Sequence, residues 1–216
     1  MIKANSDDLQ KLKELCPKGH LIIATSTYSG KRDILGILSV LLINIIQKLL
    51  NPKYNNWKKY IAHVFCIFYK NNELWVGEMD LKKNWKESPI IASNSFQKIK
   101  KGQIRIFNLG EIKEEEFNKF LGYSRLVKYP LLGAISSFKL LWFLKIFRTK
   151  KSFKEKRHCG EIFTRYQPFF KYFKTTGKAL LRKYNTHHPE AIDHYLCKNF
   201  DLKVVKIKNS KICWSL

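Results

Sequence analysis

The sequence predicts an α+β domain in which an antiparallel sheet packs against a helix carrying a cysteine, and three stretches predict it. Tyr60–Tyr69 (YIAHVFCIFY) is dense in β-branched and aromatic residues and reads as a core strand. Asn71-Asn72 is a turn signal, and Leu74–Met79 (LWVGEM) follows as the returning arm of a hairpin. At Cys159 a polar loop gives way to a segment with Ile162, Phe163 and Tyr166 at helical spacing, so a helix is expected from Cys159 onward.

The remaining elements follow in chain order. Ser6–Leu15 is a short amphipathic helix with Leu9, Leu12 and Leu15 on one face and Ser6 as its expected N-cap. Cys16-Pro17-Lys18-Gly19 breaks it, and His20–Ala24 (HLIIA) reads as a buried strand. Thr25–Gly30 is expected to be a loop of small hydroxyl residues plus Tyr28. Ile34–Leu50 is the most apolar run, but Ser39, Asn44, Gln47 and Lys48 interrupt it. An uninterrupted span needs about 20 apolar residues, so this run reads as a buried or partly membrane-touching helix ended by Asn51-Pro52. Strands are expected at Ser88–Ala92 and Gln103–Leu109, and a helix at Lys113–Tyr123 with Glu114, Glu115 and Glu116 in its first turn. Tyr129–Phe147 is a second apolar stretch, its rings clustered at Phe138, Trp142, Phe143 and Phe147. A charged loop over Arg148–Arg157 follows, then a helix start at Thr186–Glu190 and a closing strand at Leu202–Ile207.

Length and charge narrow the class. The 216 residues fit one domain, 1–216, with helical apolar insertions at about 34–50 and 130–147. A net charge of +24 favours anionic partners: nucleic acid, lipid headgroups or an acidic polymer. Part of that charge also goes with a composition high in Lys, Asn and Ile together. Five scattered cysteines without a CxxC pair argue against a disulfide framework or a zinc site, and the histidines have no metal-ligand spacing; no cofactor or metal is expected. A reducing compartment fits this usage. Met1–Leu15 has no apolar core or cleavage site and does not read as a secretory signal, so a cytoplasmic or membrane-associated location is expected.

Two residues beside Cys159 carry chemistry. His63 interrupts an apolar strand, and an unsatisfied buried polar group costs about 1–3 kcal/mol, so it needs a partner. Glu78 lies on the other arm of the hairpin, where antiparallel strands can bring two side chains to one face. A carboxylate there would fix the imidazole tautomer and support the imidazolium. A thiol at a helix N-terminus near Arg157 favours the thiolate. Each part also has a plain structural reading: a buried small hydrophobe, a satisfied core histidine and an exposed glutamate.

The order strand histidine, hairpin glutamate, helix cysteine resembles the circularly permuted papain-like cysteine hydrolases, the NlpC-related group of YiiX-type proteins. The opening turn and strand of that group is matched by Pro17–Ile23, and its "HV" strand by His63-Val64. Its acidic strand is matched by Trp75-Val76-Gly77-Glu78, and its "CxE" helix start by Cys159-Gly160-Glu161. The later proline-plus-aliphatic segment is matched by His188–Ile192. His20 stands where an acidic residue is common, and Gly160 where serine is usual. The match spans roughly residues 15–207 in short motifs.

The resemblance implies a permuted papain-like (NlpC-like) fold with Cys159 as nucleophile, His63 as general base and Glu78 as orienting residue. Gly160, Tyr60 and Tyr28 are weaker candidates for an oxyanion site. It implies amidase, thiol protease or lipid acyl-ester hydrolase chemistry on peptide, peptidoglycan or lipid, and the net charge of +24 suits an anionic membrane or polymer surface. Composition and resemblance together point to a phage or bacterial source. Cys16 is the rival nucleophile, but Pro17 and a strand follow it rather than a helix. The alternative function is a non-catalytic, strongly basic binding or structural protein on the same fold, a viral or phage component; nucleic acid is then a possible partner, although no recognition motif is present.

Overall fold

The computed structural model describes residues 5–27, 61–80, 84–93, 96, 101–128, 159–177, 179–180, 189–208 and 211–214. The apolar stretches Ile34–Leu50 and Tyr129–Phe147, the loop Arg148–Arg157, and residues Tyr28, Tyr60, His187 and His188 lie outside these. The architecture is α+β. Seven strands form one sheet in which every neighbouring pair is antiparallel, in the order β4-β3-β2-β1-β5-β6-β7. They are β1 (His20–Thr27), β2 (Ile61–Lys70), β3 (Glu73–Asp80), β4 (Asn84–Pro89), β5 (Lys101–Glu111), β6 (Leu202–Lys208) and β7 (Lys211–Cys213). The helices are α1 (Ser6–Leu15), α2 (Glu114–Leu126), the single turns α3 (Glu161–Thr164) and α4 (Phe170–Phe173), and α5 (Pro189–Asn199).

The hairpin that predicted the sheet forms as expected. Asn71 and Asn72 both take positive φ, at 52° and 59°, which asparagine tolerates better than most residues. Period-two alternation then sends the strand residues to two apolar layers. One face places Leu21, Ile23, Val64, Cys66 and Phe107 against α2, the Cys159 segment, α4 and α5. The other places Ile22, Ala24, Phe65, Ile67, Val76, Ile104 and Val205 against Leu12 and Cys16 of α1 and against Phe96.

Several expected boundaries are corrected. The cap of α1 is Asn5, not Ser6: Asn5 Oδ1 accepts from Asp8 N–H at 2.7 Å, and Asp8 Oδ2 accepts from Asn5 N–H at 3.1 Å. Thr25–Thr27 continues β1 instead of opening a loop: Thr25 and Ser26 pair on both sides and Thr27 pairs with Ile61. The strand expected at Ser88–Ala92 lies earlier, at Asn84–Pro89. Trp85 sets that position by inserting between Phe120 and Phe163, at ring distances of 5.6 and 6.3 Å. Pro89 ends the strand and a 3-10 turn over Ile90–Ala92 follows.

Asp193 on α5 ties that helix to the sheet. Its carboxylate accepts from Thr25 Oγ1 at 2.5 Å and pairs with the Arg105 guanidinium, at 6 % exposure for its own side chain. Burial pushes the Asp193 carboxyl up against the opposing pull of Thr25 and Arg105. Burial and the neighbouring Asp193 also push the Glu190 carboxyl up to about 7. Asp193→Ala removes the carboxylate from the half-buried Arg105, so it is expected to cost about 1–3 kcal/mol in urea denaturation.

Candidate active site

The site begins with a register. Phe65 of β2 faces Glu78 of β3, so His63, two residues from Phe65, is the diagonal neighbour of Glu78 on the same face. The side chains meet: His63 Nε2 lies 3.0 Å from Glu78 Oε2. The Phe65 ring stacks beside the imidazole with centroids 6.0 Å apart and planes 26° from parallel. Glu78 is 2 % exposed and His63 19 %. A carboxylate so buried is held in one geometry, and it fixes the ring that it bonds.

Gly77 allows the close packing beneath this pair. A Cβ at Gly77 would lie 2.4 Å from Trp85 Cζ2 and 2.8 Å from Cys66 Sγ. Trp85 is held by Phe120 and Phe163 and has little room to yield. Gly77→Ala is expected to cost about 1–3 kcal/mol of stability, read from the denaturation midpoint, and to shift β3 beside Glu78.

Cys159 completes the cluster. It is 6 % exposed, and its thiol and the imidazole of His63 share a side-chain hydrogen bond. With Nε2 committed to Glu78, Nδ1 is the ring nitrogen left to face the sulfur. Burial alone would lower the His63 pKa, but the hydrogen bonds and negative charges of Cys159 and Glu78 outweigh it and raise it to about 10. The arrangement therefore favours imidazolium beside thiolate, the form of a cysteine that attacks carbonyl carbon.

The expected helix at Cys159 is corrected to one turn, Glu161–Thr164, with Gly160 as its N-cap. Pro168 explains the break, since the 3-10 turn Gln167–Phe169 starts there and Tyr166 is extended at φ −76° and ψ 105°. So short a helix has little dipole, and activation of Cys159 rests on His63 rather than on a helix end. Residues 159–164 are all buried, and Glu161 is anchored by Arg165 at 3.0 Å. Gly160 sits beside the thiol, while Tyr28 and Tyr60 lie outside the described residues.

The other cysteines have different surroundings. Cys16 ends α1 inside the apolar layer, and burial pushes its thiol up to about 12. Burial also raises Cys66 strongly, and raises Cys197 to about 11. His20 meets Asn108 Oδ1 at 3.0 Å, at the far end of β1 from His63. Ser26, missed by the sequence reading, faces His63 directly across β1. It is 1 % exposed and its Oγ has no hydrogen-bond partner among the described residues. Only the strand register could have singled it out. Comparison with family models, curated proteins and solved structures returns no match.

Proposed function

We propose that this chain is a cysteine hydrolase of amide or ester bonds, built on the permuted papain-like plan that its motif order resembles. The relay from Glu78 through His63 to Cys159 carries the reading, with its 3.0 Å carboxylate–imidazole bond and its thiol–imidazole bond. The Cys159 sulfur adds to the substrate carbonyl carbon, and His63 gives its proton to the departing amine or alcohol. The resulting thioester is then attacked by water. His63 takes the proton from that water, the carbon–sulfur bond breaks, and the acid leaves. Glu78 keeps the ring oriented and supports its positive charge throughout.

Intact-mass analysis tests the reading, with the full chain incubated with activated acyl esters and acyl-amides of several chain lengths. The expected result is a transient acyl adduct mapped to Cys159, with substrate loss that disappears in Cys159→Ala. Turnover that survives Cys159→Ala would defeat the proposal. Among the described residues no helix is long and apolar enough to cross a membrane.

A further inference from the structure

We propose that the protein docks on an anionic lipid surface through the β5–β6–β7 end of its sheet. Lys101, Lys208 and Lys211 stand in register across these three strands, and Lys206 lies two pairs further along, opposite Cys213. Lys206, Lys208 and Lys211 are exposed, with no acidic partner among the described residues. Like charges directly opposite one another destabilise a sheet. Guarding an edge strand against pairing explains a lysine on β7, but the row continues inward to β6 and β5, which are not edges. In the proposed reading an external anionic surface supplies the counter-charge of Lys206, Lys208 and Lys211, which have no acidic partner among the described residues.

The row lies toward the same end of the sheet as His63. Val205 and Ile207 turn into the apolar layer with Ile104, so Lys206 and Lys208 point to the other face, on which Cys159 packs with Val64 and Phe107. His63, Ser26, Ile104 and Val205 lie in one line across the strands. The lysines continue from that line toward the His63 end of the sheet. Three strand spacings, roughly 14 Å, separate β2 from β6. His63 lies on the Val205 face, opposite the lysines, so docking through the row lays the His63 end of the sheet, rather than one of its faces, beside the surface.

The chemistry favours a headgroup layer over nucleic acid. Lysines are point charges for phosphate and carboxylate, and each adds attraction to an anionic leaflet. Base reading needs free arginine or amide side chains, and single strands need exposed rings. Here Arg105 is engaged by Asp193, and Trp214 donates its Nε1–H to Asp8 at 2.7 Å under the Lys11 ammonium. The inference deepens the hydrolase reading by naming a surface that presents acyl esters, but the binding is measured without turnover.

The test is co-sedimentation of the full chain, and of Cys159→Ala, with phosphatidylcholine vesicles with and without phosphatidylserine. Both proteins are expected to bind only the phosphatidylserine vesicles, more weakly as salt rises. Lys206→Glu/Lys208→Glu/Lys211→Glu is expected to lower the affinity by about tenfold or more. Lys13→Glu/Lys18→Glu/Lys113→Glu makes the same charge change at the far end of the sheet and is expected to lower it less than about threefold. Circular dichroism confirms that both variants fold. Equal loss in the two variants, or no loss in the first, overturns the proposal. So does tighter binding to a duplex oligonucleotide that the first variant abolishes. Loss of turnover in Cys159→Ala with unchanged vesicle binding supports both readings; vesicle binding without any turnover in the parent chain separates them and leaves only the docking standing.

Discussion

Cys159→Ala is expected to remove turnover by at least about 10³-fold while leaving the fold in place. In the proposed mechanism the sulfur is the nucleophile, and His63 and Glu78 without it have none to serve. The cost to stability is small by comparison, because Cys159 is a small residue at the margin of a layer built mainly by Phe163, Phe169, Phe120 and Ile162. Steady-state hydrolysis beside a denaturation curve separates the two effects. Loss of activity with a cooperative unfolding transition retained is the expected pair of results.

Glu78→Gln carries the second large effect. It keeps the size of the side chain but removes the charge that supports the imidazolium 3.0 Å away. Catalysis is expected to fall by about 10²–10⁴-fold, as when the carboxylate of a triad is neutralised. The same change has a signature in pH. Burial works against the charged ring, but the bonds and charges of Cys159 and Glu78 raise the His63 pKa to about 10. Unfolded, a histidine titrates near about 6.5. The folded state therefore binds this proton more tightly. The stability it contributes is fully present below about pH 6.5 and is lost as pH rises toward 10. In Glu78→Gln one supporting anion is gone, so the loss is expected to begin at the same pH, set by the unfolded histidine, but to end at a lower pH and to be smaller in total. Urea midpoints of both proteins between about pH 6 and 10 measure this. Parallel curves would show that Glu78 does not support the ring's charge.

Much of this was legible in the chain because it is local. The Asn71-Asn72 turn and the flanking apolar runs specify a hairpin, and a hairpin fixes which residues share a face; His63 and Glu78 follow from that alone. What escaped was set at a distance. Thr25 looked like loop chemistry, yet its hydroxyl is occupied by Asp193, which lies 168 residues further on. The short β7 was not foreseen, since three residues carry no period and its place comes from pairing with β6. The Cys159 helix was overextended because Ile162, Phe163 and Tyr166 keep helical spacing, while Pro168 stops the helix after one turn. The thiol still meets His63, so that contact is kept despite the correction of the element beneath it.

Selective alkylation of the full chain, mapped by mass spectrometry near pH 6, tests the central claim most directly. Cys16 and Cys66 are buried with raised thiol pKa values, and Cys197 is raised to about 11, so none of these three should react readily there. The relay predicts that Cys159 is labelled first, and that His63→Ala slows its labelling by at least about tenfold. Labelling of Cys159 no faster than that of Cys213, and unchanged in His63→Ala, would contradict it.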